Sequence, residues 1–128
     1  MILVDSSVWI DHLRDRDPIL TDLLNEAQVL AHPFVTGELA LGSMGNRAVI
    51  LGLMDDLPQA IVAEEGEIRP FIEQHTLFGL GIGYVDAHLL ASARLTAHTS
   101  LWTRDRRLGE VAKRLGLATD MRSIAPGG

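Results

Sequence analysis

The chain contains no cysteine, which excludes disulfides and thiolate metal sites and fits a reducing compartment. It has no apolar run approaching the length of a membrane span. No basic segment precedes an apolar one at its start, so no secretory signal is expected, and the cytoplasm is the expected location. It also lacks internal repeats, low-complexity stretches and any linker long enough to divide domains. Residues 1–128 therefore read as a single domain, with a frayed tail at 126–128. The length of 128 residues, 47% hydrophobic content and mean hydropathy of +0.17 describe a globular chain able to bury a sizeable core.

Positive charge is scarce. The net charge is −6, and Lys113 is the only lysine, which at first disfavours a nucleic-acid partner. The distribution changes that reading. Residues 94–122 hold Arg94, Arg104, Arg106, Arg107, Lys113, Arg114 and Arg122 against Asp105, Glu110 and Asp120, a local +4 that leaves −10 for the remainder. Such a surface is either a solvated helix face or a place to hold phosphates.

Apolar runs alternate with helical periodicities. Ile2–Val4 reads as a buried strand, and Ser6 or Ser7 can cap a short helix to Leu13. Asp17-Pro18 opens a second helix through Ala27. Val29–Ala31 is a second strand, stopped before Pro33. Phe34–Leu41 and Asn46–Asp56 are helical. Ala60–Ala63 is a third strand, and Glu64–His75 a helix with acids in its first turn. The Gly79–Gly83 loop precedes a long helix, Tyr84–Ala97. Leu101–Thr103 is a fourth strand, followed by a helix to Leu115 and a short fifth strand, Leu117–Thr119. This alternation predicts a three-layer α/β/α domain around a parallel sheet of about five strands, here taken in the order 3-2-1-4-5. Sites in such sheets form beyond the strand carboxyl ends where strand order reverses.

Four acids stand out in that frame. Asp5 ends the first strand and Asp105 closely follows the fourth, so both face one crevice if strands one and four are neighbours. Glu38 and Asp86 lie in helical segments among apolar neighbours, where a lone carboxylate is costly to bury. Without a cation, each like-charge pair at about 5 Å costs roughly 3 kcal/mol at an effective dielectric of about 20. An all-oxygen cluster makes sense around a hard divalent ion, Mg²⁺ or Mn²⁺. The histidines His12, His32, His75, His88 and His98 have no metal-ligand spacing. Trp9 and Trp102 read as core or interface. Gly79, Gly81 and Gly83 do not form a dinucleotide fingerprint, which needs G-x-G-x-x-G between a strand and a helix.

Val4-Asp5-Ser6-Ser7, Glu38 within Phe34–Leu41, Tyr84-Val85-Asp86-Ala87-His88 and Leu101-Trp102-Thr103-Arg104-Asp105 follow one another in an order that resembles the PIN-domain ribonucleases. The likeness is to their small toxin branch, the VapC toxins, and covers about residues 2–120. It implies a Mg²⁺- or Mn²⁺-dependent endoribonuclease with Asp5, Glu38, Asp86 and Asp105 as its acidic site. Ser6 and Thr103 match the polar positions that flank it. It further implies an RNA substrate, inhibition by a cognate VapB-type antitoxin, and a homodimer without a membrane partner. Some relatives carry a further acid after the fourth; here Arg106, Arg107 and Leu108 follow Asp105.

Three other readings compete. A haloacid-dehalogenase-type phosphatase needs a second Asp two residues after the nucleophile, where Ser7 stands. A receiver domain needs an Asp ending the third strand, where Glu64 follows Ala63. A catalytically inactive PIN-fold interaction module is the strongest rival, and four intact acids argue against it.

Overall fold

The computed structural model describes residues 1–124; the tail expected to fray at 126–128 lies outside them. Among these residues the order is β1 (Ile2–Val4), α1 (Ser6–Arg14), α2 (Pro18–Asn25), β2 (Val29–Leu30), α3 (Pro33–Leu41), α4 (Arg47–Asp56), α5 (Glu65–Gln74), α6 (Tyr84–Leu95), β3 (Ser100–Trp102), α7 (Arg106–Arg114) and α8 (Met121–Ile124). No helix is long and apolar enough to cross a membrane.

β1 lies at the centre of a parallel sheet ordered β2-β1-β3. Ile2 pairs with Val29 on one side and Ser100 on the other, and Val4 pairs with Trp102. Every residue of β1 is buried. Successive strand side chains point to opposite faces, so both faces of the sheet are covered, as the unbroken apolar run Ile2-Leu3-Val4 requires. The chain passes from β1 to β2 on one flank and later reaches β3 on the other. The strand order therefore reverses between β1 and β3, as the assumed order has it.

The sheet has three strands, not the expected five. Both missing strands survive as single parallel bridges, Ala31 with Gln59 and Leu101 with Ala118. At the first edge, Ala60 N donates to Ala31 O, and the next amide, Ile61 N, is taken by the Thr96 hydroxyl at 2.9 Å. Ile61 and Val62 are 52% and 40% exposed, so this apolar run is not a buried strand. At the other edge, two bonds join Leu101 to Leu117 and Thr119 before Asp120 turns the chain into α8. That four-residue helix was not expected.

Helix starts follow the local chemistry. Pro18 opens α2 behind Asp17, whose carboxylate accepts from Leu20 N at 3.0 Å. Pro33 opens α3, where the His32 ring nitrogen Nδ1 accepts from Phe34 N at 3.0 Å. The expected serine cap of α1 is corrected. Asp5 occupies the N-cap position and its side chain makes no cap bond, while Ser6 and Ser7 lie inside the helix.

Candidate active site

Asp5 follows directly on β1, and its amide extends the ladder by donating to Trp102 O at 2.9 Å. Register then sets Thr103 beside it. Thr103 Oγ1 donates to Asp5 Oδ2 at 2.8 Å and Ser7 Oγ donates to the same oxygen at 2.7 Å. The carboxylate is only 6% exposed, and among the described residues it has no cationic partner. These two hydroxyl hydrogen bonds fix one of its oxygens, and neither brings a positive charge.

Asp105 stands at the N-cap of α7, where Oδ1 accepts from Leu108 N at 2.9 Å. Its own amide donates to Thr103 Oγ1 at 3.0 Å. Thr103 therefore touches both strand-end acids. Asp86 lies in the first turn of α6, with Oδ2 accepting from Gly83 N at 3.0 Å. Glu38 lies further along α3, and Ser6 Oγ donates to its Oε1 at 3.4 Å.

Aromatic packing fixes α3 against α6. Phe34 meets the His88 ring edge-on at 4.6 Å, and His88 meets Tyr84 at 4.8 Å. The buried His32 Nε2 bonds Ser92 Oγ at 2.9 Å. With Nδ1 accepting from Phe34 N, Nε2 carries the proton and is the donor. These contacts join the two helices that carry Glu38 and Asp86.

The four acids share one electrostatic neighbourhood. Burial raises the Glu38 carboxyl above its ordinary range; the charges of Asp5 and Asp86 add to this, against the Ser6 hydroxyl. Burial also raises Asp86, with Asp5 and Asp105 adding to it against the bond from Gly83 N. As they stand, no three His, Asp or Glu side chains among the described residues are arranged to hold a metal ion. Asp86 Oδ2 and Asp105 Oδ1 each face a backbone donor instead. The donor set still fits a hard divalent cation. It is all oxygen, it carries unbalanced negative charge, and Mg²⁺ is commonly bound through one or two carboxylates while keeping several waters.

Ser7 escaped the sequence reading, which favoured Ser6. A helix places both serines in the first turn, and only the register with Thr103 shows that Ser7 reaches Asp5. Arg104 was also missed. Its guanidinium pairs with Asp11 at 2.7 Å and with Asp17, tying the segment after β3 to α1 and to the cap of α2. Burial lowers its pKa, but the hydrogen bonds and charges of Asp11 and Asp17 outweigh that and raise it. Its amide donates to Ser7 Oγ at 3.0 Å. A basic residue between Thr103 and Asp105 was the available signal.

Two shallow cavities border the acids. One of about 390 Å³ runs along α1 and α3 and is lined by Ile10, Leu13, Arg14, Glu38, Leu39 and Met44 among others. The other, of about 590 Å³, is lined by Leu80, Gly81, Asp105, Arg106, Arg107 and Glu110.

The chain matches the PIN domain family over residues 2–114. It is 45% identical over 118 residues to Ribonuclease VapC32 of Mycobacterium tuberculosis, from strain CDC 1551 / Oshkosh and equally from strain ATCC 25618 / H37Rv. The alignment covers 92% of this chain and 95% of each relative. With a parallel sheet whose order reverses where two strand-end aspartates meet, the chain belongs to the PIN-domain family, in its VapC-type ribonuclease branch.

Proposed function

We propose that this chain is a metal-dependent endoribonuclease toxin that hydrolyses RNA phosphodiester bonds, with Asp5, Glu38, Asp86 and Asp105 as its acidic site. The observation that carries the reading is the buried Asp5 carboxylate, which has no cationic partner among the described residues and lies beside carboxyls whose pKa values it raises. Mg²⁺ or Mn²⁺ is the expected ion, with Asp5 and Asp86 as direct holders and Glu38 and Asp105 acting directly or through water. When bound, such an ion supplies water activation and charge neutralisation at the phosphate. Ser7 and Thr103 orient Asp5 by fixing one of its oxygens. Glu38 is the better placed of the two raised carboxyls to accept a proton, because among the described residues its only donor is the long contact from Ser6.

The same reading includes a homodimer in the cytoplasm and a cognate VapB-type antitoxin. The groove along α1 and α3 suits an antitoxin segment, since it is apolar along Ile10, Leu13 and Leu39 and reaches Glu38 at one side. An inhibitor's arginine placed there would meet a carboxylate.

The test is to incubate the purified, antitoxin-free chain with a broad cellular RNA pool, with and without Mg²⁺ or Mn²⁺, beside Asp5→Asn. Metal-dependent cleavage lost in the variant is the expected result. No cleavage by the folded chain with either metal would favour an inactive interaction module instead.

A further inference from the structure

Three arginines surround Asp105, and their engagements differ. Arg104 is committed to Asp11 and Asp17. Arg106 reaches Glu110 on its own helix at 3.3 Å. Arg107 has no hydrogen-bond or ion-pair partner among the described residues. Its side chain instead lies across the backbone of Gly81. A Cβ at position 81 would stand 2.5 Å from Arg107 Nη1, 2.9 Å from Cδ and 3.0 Å from Cζ. Gly81 also adopts φ +76°, a left-handed conformation that side chains disfavour. Position 81 thus disfavours larger residues by its conformation, and a side chain there would push the arginine aside.

This cation follows the last of the four acids along the chain by two residues. It belongs to the helix that Asp105 caps, and it rests on the loop that ends at Gly83, the donor to Asp86. It lines the 590 Å³ cavity together with Asp105, a volume within the range of small-molecule sites. An RNA strand approaching four carboxylates meets repulsion at every phosphate except the one opposite the bound ion. A seated guanidinium at the margin offsets that repulsion for a neighbouring phosphate, and its planar donors suit phosphate oxygens.

We propose that Arg107, seated on Gly81, is a phosphate-binding subsite that holds the RNA backbone next to the cleaved linkage. The proposal rests on the ribonuclease reading and adds to it a residue that positions substrate outside the acidic set. Arg107 accordingly governs substrate affinity more than turnover.

The experiment measures binding of a labelled single-stranded RNA in EDTA, by fluorescence anisotropy across a salt series, for the wild-type chain, Arg107→Ala, Gly81→Ala and Lys113→Ala. Lys113 is the charge control, about 9 Å further along the same helix. Arg107→Ala is expected to weaken binding about tenfold and to make the slope of log affinity against log salt shallower by about 0.7, the loss of one single-strand phosphate contact. Gly81→Ala keeps the charge but evicts it from its seat, and it weakens binding in the same direction. Lys113→Ala changes neither quantity. In cleavage assays with metal, Arg107→Ala raises KM and leaves kcat within about twofold. Affinity and salt slope unchanged in Arg107→Ala, or lost equally in Lys113→Ala, would overturn the subsite while leaving the nuclease reading intact. A wild-type chain that neither binds RNA in EDTA nor cleaves it with metal would overturn both.

Discussion

Acid should loosen this protein through His32, and the effect is large enough to isolate. His32 is fully buried, and burial together with the neighbouring His88 pushes its pKa down to about 4 from 6.5. Its neutral ring serves two partners at once, accepting from Phe34 N and donating to Ser92. Protonation would leave Phe34 N facing a donor at the start of α3, the helix that carries Glu38. Above pH 6.5 the ring is neutral in both folded and unfolded chains and contributes no pH dependence. Between 6.5 and about 4 the unfolded chain takes up the proton more readily, so stability falls as pH falls. The full drop of two and a half units corresponds to about 3 kcal/mol. The assay is urea unfolding from pH 8 to 4.5 for the wild-type chain and for His32→Asn, which keeps an N-cap acceptor but does not titrate. Carboxylates titrate alike in both, so the difference between the two curves reports His32. His32→Asn is expected to be less stable at pH 8 by about 1–2 kcal/mol, from the lost Ser92 bond and poorer packing. The gap should close or reverse by pH 4.5. A gap that stays constant across that range would refute the reasoning.

Three further outcomes follow from the acidic site. Asp5→Asn should keep its fold by circular dichroism and lose RNA cleavage by about 100-fold or more, the scale of a single electrostatic group at an active site. Metal added at about ten times its dissociation constant should stabilise the wild-type chain by about 1.4 kcal/mol, or roughly 5 °C in Tm, and should leave Asp5→Asn unmoved. Because Glu38 and Asp86 titrate above the ordinary carboxylate range, metal affinity followed by calorimetry should already weaken on going from pH 7 to pH 5, since protonated carboxyls do not ligate. Arg104→Ala should cost about 0.2–1 kcal/mol for the exposed pair with Asp11 and more for the half-buried pair with Asp17. It should also lower cleavage, because the segment holding Thr103 and Asp105 is released from α1 and α2; stability and kcat falling in strict proportion would argue against that positioning role.

The parts of this molecule written in contiguous residues were legible in its sequence. Ile2-Leu3-Val4 could only be a strand buried on both faces, and Asp5 was therefore a strand-end acid before any coordinates. The neighbouring of the first and fourth predicted strands rested on an assumed strand order, and Val4 does pair with Trp102. What failed depended on partners far away in the chain. Ala60–Ala63 has strand composition, but its pairing ends at Ala60, because the next donor on the neighbouring segment would be Pro33, which has no amide hydrogen and opens α3. Ser6 and Ser7 are equivalent in sequence, and partners far along the chain separate them: Glu38 for Ser6, Thr103 and the Arg104 amide for Ser7. Asp86 and Asp105 show that the structural and chemical readings of an acid need not compete. Each holds a helix start with one oxygen.

The pairing of β1 with β3 has a consequence for synthesis. The two strands that frame the site are almost the whole domain apart, as the Thr103 bond to Asp5 across 98 residues shows. A contact of that span closes late and slowly. The first acid leaves the ribosome long before Asp105 and Arg107 are made, and no shorter fragment contains the set. On the acidic site proposed above, a nascent or prematurely terminated chain lacks part of the set and does not cleave RNA.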